Sequence, residues 1–135
     1  MRIHVPDQPS GRLTEAWRHC VGTGRFELAL RRDYQDSLAL CQRDIGFRHI
    51  RGHGLLSDGV GIHQPYRYRG ARQVRHAFTY VDQVVDAYLD LGIQPFLELG
   101  FMPVGLASGD QTVFWWQGNI TPPSDWNECA DLVRA

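Results

Sequence analysis

The chain has 135 residues, 43% of them hydrophobic, and a formal charge of −1. That length and composition allow one packed domain over residues 1–135 and exclude a disordered chain. Near-neutral charge leaves no electrostatic footprint for nucleic acid, and the apolar runs are too short to cross a membrane, so neither partner is expected.

Residues 1–15 hold Pro6, Pro9 and Gly11 and read as an extended arm. A first strand is predicted over residues 19–22, with Gly22 and Gly24 supplying a tight turn before the next element. The first helix is predicted over 31–43, because Leu30, Tyr34, Leu38 and Cys41 recur on one face. Gly46 ends it and releases a second strand over 47–51. Residues 52–76 read as a long Gly- and Arg-rich connection, of the kind that is functional or mobile in a compact domain.

Phe78-Thr79 opens a second helix with apolar positions at Val81, Val84, Val85, Tyr88 and Leu91, closed by Leu91-Gly92. A third strand is predicted over 93–99. The loop over 100–123 carries Phe114-Trp115-Trp116, and Ser124-Asp125 caps a last helix. Strand and helix alternate three times, which predicts an α/β fold with a parallel sheet and right-handed crossovers.

All fourteen basic residues are arginine, scattered among fifteen acids, which fits a compositional habit of the source better than an anion site. Cys20, Cys41 and Cys129 are odd in number and far apart, so reduced thiols are expected and not a disulfide framework or a Cys-x-x-Cys metal site. Met1-Arg2-Ile3-His4-Val5-Pro6-Asp7 lacks the apolar core of a signal peptide, and a cytoplasmic location is the expectation.

The residues with chemical potential gather at predicted strand ends, where parallel α/β folds bind ligands. On the second strand, period-two geometry puts Phe47, His49, Arg51 and His53 on one face. His49 and His53 have the spacing of a helical metal pair, but on a strand four residues span roughly 13 Å, too far for one ion. On the third strand Phe96, Glu98 and Gly100 share a face, and Glu98 can pair with Arg51 or meet a substrate directly. His53, between Gly52 and Gly54, is the foremost candidate: the glycines allow close approach and imidazole can bond a sugar hydroxyl or a carboxylate. A purely structural strand-end histidine is the competing reading. Trp115 and Trp116 sit outside any periodic element, where one could stack on a ligand or plug the loop against the core.

Several of these stretches together resemble one family. Cys20-Val21-Gly22-Thr23-Gly24-Arg25, Gly46-Phe47-Arg48-His49-Ile50-Arg51-Gly52-His53-Gly54-Leu55-Leu56-Ser57-Asp58, Phe78-Thr79-Tyr80-Val81-Asp82 and residues 95–103 are similar to the N-terminal part of glycoside hydrolase family 39. So are Leu106-Ala107-Ser108-Gly109, Thr112-Val113-Phe114-Trp115 and Gly118-Asn119-Ile120-Thr121-Pro122-Pro123. The resemblance to this family of β-xylosidases and α-L-iduronidases is collinear over nearly the whole chain.

It implies a (β/α)8 barrel and retaining hydrolysis, which needs two carboxyl groups about 5 Å apart. In the family the acid/base glutamate stands in an Asn-Glu-Pro motif after the fourth strand, and the nucleophile lies on a much later one. Trp126-Asn127-Glu128 continues with Cys129 in place of proline and falls at the start of the third helix, so Glu128 is not expected to be catalytic. The resemblance implies that His53 is a substrate contact. Tyr80 and residues 103–108 look like the xylosidase branch.

The expectation is therefore the first three βα units of an incomplete barrel, contributing His53, Glu98, Phe101, Trp115 and Trp116 to a site for a xylose-containing or related sugar. No catalytic residue, metal or cofactor is implied, and the chain alone is expected to be inactive and to self-associate through open sheet edges. The competing expectation is a small non-catalytic α/β domain that binds a sugar or a protein and completes its sheet by oligomerising.

Overall fold

A computed structural model describes residues 3, 7–8, 11–12 and 14–135. The arm expected over 1–15 falls largely outside the described residues. The elements are β1 (Cys20–Arg25), α1 (Arg32–Asp44), β2 (His49–His53), β3 (His63–Tyr68), β4 (Ala71–His76), α2 (Thr79–Asp90), β5 (Gln94–Leu97), β6 (Thr112–Val113), β7 (Gly118–Asn119) and α3 (Trp126–Arg134). Short 3-10 turns at Glu15–Arg18 and Phe26–Leu30 flank β1.

The frame is a parallel sheet in the order β1-β2-β5, with α1 and α2 as the crossovers. The protein is thus α/β, as its alternation predicts. Register aligns Val21, Ile50 and Pro95 in one row, and Cys20, His49 and Gln94 in the row before it. Because side chains alternate across a strand, the first row faces the helices and the second the opposite side. Ile50 is fully buried in the core with Val84, Tyr88, Ile93 and Leu132. On the other side Arg51 and Phe96, also in register, are exposed, Phe96 by 57%.

Element ends differ from the sequence reading for local reasons. Gly22 and Gly24 lie inside β1 and make no turn; a Cβ at Gly24 would come 2.9 Å from Leu28 Cδ1, so the bare backbone lets the following 3-10 turn fold back on the strand. β2 begins at His49 and not at Phe47, because the side chain of Gln42 takes both backbone groups of Phe47, accepting from its N–H at 2.8 Å and donating to its carbonyl at 3.0 Å. β5 starts after Ile93, whose N–H caps α2 by donating to the Tyr88 carbonyl at 2.9 Å, and it ends before Glu98.

The helices match their expected faces. Leu30, Tyr34 and Leu38 pack on the core, whereas Cys41 is exposed. Gly92, at φ +71°, closes α2 in the left-handed conformation that suits glycine. Asp125 caps α3 by accepting from the backbone N–H of Asn127 and Glu128. Burial raises the Tyr88 phenol well above its ordinary range, and the Tyr34 hydroxyl bridges between it and Thr23.

Both long connections contain structure where loops are predicted. Residues 52–76 hold the antiparallel hairpin β3–β4, turning at Arg69-Gly70. Residues 100–123 hold the short antiparallel pair β6–β7 and a bridge between Ala107 and Pro123.

Candidate functional site

The site forms where the C-terminal ends of β1, β2 and β5 come together. β2 delivers His53, and parallel register sets Arg25, the last residue of β1, beside it. The chain then turns at once: Gly54 has φ +83°, where a side chain would be strained, and the Ser57 N–H donates to the Gly54 carbonyl at 3.1 Å. From this turn the Leu56 N–H donates to the Gly100 carbonyl at 2.9 Å, drawing the loop after β5 toward His53. Phe101 arrives on that loop, its ring edge-on to the imidazole with centroids 6.3 Å apart.

The β6–β7 hairpin completes the cluster. Its turn is tight, with Phe114 at φ 62° and Gln117 at φ 59°, and the Gln117 N–H donates to the Phe114 carbonyl at 3.1 Å. Trp116 therefore stacks on both neighbours, 5.7 Å from His53 and 5.6 Å from Phe114, and meets Phe101 edge-on at 5.0 Å. These three rings make a continuous patch around one imidazole, with Phe114 6.1 Å from His53 and from Phe101.

A buried polar network fixes the hairpin behind the patch. The Asn119 side-chain amide donates to the Gly109 carbonyl at 2.8 Å, while its carbonyl accepts from the N–H and hydroxyl of Thr121 at 2.9 and 2.7 Å. The Met102 N–H donates to the Asn119 carbonyl at 3.0 Å and ties this network to the Phe101 loop.

Of the residues selected from sequence, the structure brings together His53, Phe101 and Trp116. Trp115 lies on the same turn but projects outward, 86% exposed, against the Arg25 guanidinium at 5.2 Å. Glu98 is ion-paired with Arg51, which itself is largely exposed, so this is a rim pair rather than a buried one. His49 does not join His53; its Nδ1 lies 2.9 Å from the His19 carbonyl oxygen. Among the described residues no group of three or more His, Cys, Asp or Glu is placed to hold a metal ion.

Phe114, Arg25 and Glu27 are components of the site that local sequence reasoning missed. Phe114 stood in view beside the tryptophans, but only the left-handed turn aims it at His53. A cavity of about 200 Å³ opens beside the patch, lined in part by Arg25, Glu27, Ser57, Asp58, Trp116 and Asn119.

The carboxylates have other occupations. All four glutamates of the chain are ion-paired with arginine: Glu15 with Arg18, Glu27 with Arg25, Glu98 with Arg51 and Glu128 with Arg72. Two hydrogen bonds from Arg72, at 2.6 and 2.7 Å, hold the Glu128 carboxyl below the usual carboxylate range. The arrangement can bond hydroxyl groups through His53 and cover an apolar sugar face with rings.

Comparison with known proteins accounts for this layout. The family model for glycosyl hydrolases family 39 matches residues 1–135. A β-xylosidase of Geobacillus stearothermophilus is 53% identical over 133 residues, covering 98% of this chain and 26% of that protein. A β-xylosidase of Caldicellulosiruptor saccharolyticus is 38% identical over 124 residues, covering 92% of this chain and 25% of the relative. The solved structure of a family 39 β-xylosidase from Caulobacter crescentus superimposes with a TM-score of 0.77 at 34% identity, over 86% of this chain and 25% of that one. The family 39 enzyme of Xanthomonas axonopodis pv. citri does so with a TM-score of 0.71 at 32% identity, over 87% of this chain and 22% of its own. The chain thus spans about a quarter of the length of the relatives it matches, and it belongs to glycosyl hydrolases family 39.

Proposed function

We propose that this chain provides the first three βα units of a (β/α)8 barrel in a retaining β-xylosidase, and that it holds the sugar without cleaving it. The observation that carries this reading is His53 set among Phe101, Phe114 and Trp116 at the strand ends. His53 bonds a sugar hydroxyl, and Phe101 and Trp116 offer ring faces to the sugar carbons. Trp115 stands at the rim, and Glu98 contributes at the mouth through its pair with Arg51. Relatives at 53% and 38% identity carry the name β-xylosidase, which supports xylose over other sugars.

The chain contains no Asn-Glu-Pro sequence, and each of its glutamates is engaged by an arginine. The purified 135-residue chain is therefore expected to leave an aryl xyloside intact while D-xylose perturbs its tryptophan fluorescence. His53→Ala should weaken that response about tenfold, the equivalent of about 1.4 kcal/mol. Turnover that disappears on changing Glu98, or a xylose response indifferent to His53, would refute the reading.

Self-association belongs to the same proposal. Among the described residues β1 and β5 are each paired on one side, and Phe96, Leu97 and Leu99 at the β5 edge are exposed. Open apolar edges recruit further strands. Sedimentation velocity should show association that grows with concentration; a monodisperse monomer that melts cooperatively would contradict this.

A further inference from the structure

The aromatic patch is built on a loop, yet one of its rings must hold a fixed place against His53 if it is to receive a sugar face. The hairpin's own hydrogen bonds secure its backbone but do not reach the Trp116 ring. Besides the neighbouring rings, a charge reaches it from β1. The Arg25 guanidinium lies 5.2 Å from the Trp115 ring centre and 5.5 Å from that of Trp116, so one cation meets two successive indoles. A cation near an aromatic ring is attracted by its negative face, and more so where water is partly excluded. Arg25 is only 24% exposed, and Glu27, 22% exposed, fixes it through a 2.8 Å ion pair.

Glu27 in turn depends on Gly59. A Cβ added at Gly59 would overlap the Glu27 carboxylate, and the backbone at Gly59 lies outside the left-handed region. The adjacent Asp58 carboxylate accepts the Val104 N–H at 3.0 Å and joins this support to the loop after β5. Gly59, Glu27, Arg25 and the two indoles thus form one physical chain running from the turn after β2 to the β6–β7 hairpin.

We infer that Arg25, held by Glu27, is a positioning residue that braces the Trp115-Trp116 turn and sets the Trp116 ring over His53. The inference rests on the sugar-site reading for its purpose, but the brace itself is a statement about ring position. Arg25 touches no substrate in this account. It acts through Trp116, and parallel pairing sets Arg25 beside His53.

The test is 19F NMR of the 135-residue chain labelled with 5-fluorotryptophan, with the four resonances assigned by single Trp→Phe variants. In the native chain Trp116 should be shifted by the rings of Phe101, Phe114 and His53. Glu27→Gln and Gly59→Ala should both move the Trp116 resonance toward the free-indole position while Trp17 and Trp126 stay in place. Gly59→Ala is the discriminating variant, since it touches neither Arg25 nor any ring. Arg25→Lys, keeping the charge but not the planar fork, should move Trp116 part of the way. D-xylose affinity should fall about three- to fivefold in the first two variants, the range expected for loosening, without abolishing, a partly shielded cation–ring contact.

A Trp116 resonance that stays put in both Glu27→Gln and Gly59→Ala overturns the brace, even if xylose still binds the native chain. If the resonance moves but xylose perturbs no variant, the brace stands and the sugar-site reading falls. Should one variant lose the Trp17 and Trp126 signals through misfolding, the other and Arg25→Lys decide the matter.

Discussion

Two hairpins are inserted into the βα frame, and they are fastened by opposite means. β3–β4 is held to α3 by charge: Arg72 bonds Glu128 twice and the Gly105 carbonyl once, and Nε2 of the buried His63 lies 3.1 Å from the same glutamate. β6–β7 is held at its tip by rings, with Trp116 and Phe114 against His53 and Arg25. The ionic fastening lies away from the strand-end site and serves the scaffold. The aromatic fastening is itself the surface a ligand would meet, so strengthening it for stability would also reshape the site.

The largest effect on the first hairpin should follow Glu128→Ala, which strands the Arg72 cation beside buried His63. A buried pair broken on one side costs about 3–5 kcal/mol, but Arg72 is nearly half exposed, so about 1–2 kcal/mol is expected. Urea unfolding measures it, and xylose response should be untouched.

Acidification should reach the same anchor less severely. Burial pushes the His63 pKa below its ordinary 6.5; the Glu128 and Asp58 charges oppose that shift, and His76 and Arg72 reinforce it. The unfolded chain then takes up this proton first, so stability is full above about 6.5 and declines as pH falls toward the folded pKa. Glu128, held low by Arg72, adds a second decline below its ordinary 4.5. Urea midpoints at pH 7.5, 5.5 and 4 should fall in that order, and His63→Phe should flatten the first step only.

Trp116→Ala removes one member of three ring pairs, each worth about 0.5–1.5 kcal/mol beyond the area it buries, so its cost to stability should be comparable to that of Glu128→Ala. Its xylose response, by contrast, should vanish. If Trp116→Ala spared the xylose response while Glu128→Ala abolished it, the division of labour between the hairpins would be reversed.

The frame was legible in the sequence because its elements bury one face. Tyr34 and Leu38, or Val84 and Tyr88, recur at helical spacing, and Gly92 and Asp125 mark ends by chemistry that is local. The hairpin β3–β4 was not legible because its outer residues from Pro65 through Gln73 are all exposed, leaving no alternation, and Pro65 argues against a strand. β6 and β7 are two residues each, too short to carry a period.

In the site, His53 was marked by its flanking glycines. Arg25 carried no mark: its role depends on indoles some ninety positions away, which only the folded chain brings within reach of it.

The central place of β2 has a consequence for how the molecule opens. Its backbone is bonded on both sides, to β1 and to β5, whereas each outer strand can fray from its free edge. Amide exchange should therefore be slowest at Ile50, Arg51 and Gly52, with neighbouring strands opening first. His53 then hangs from the last segment to yield, so the imidazole should keep its place after the outer strands have begun to open.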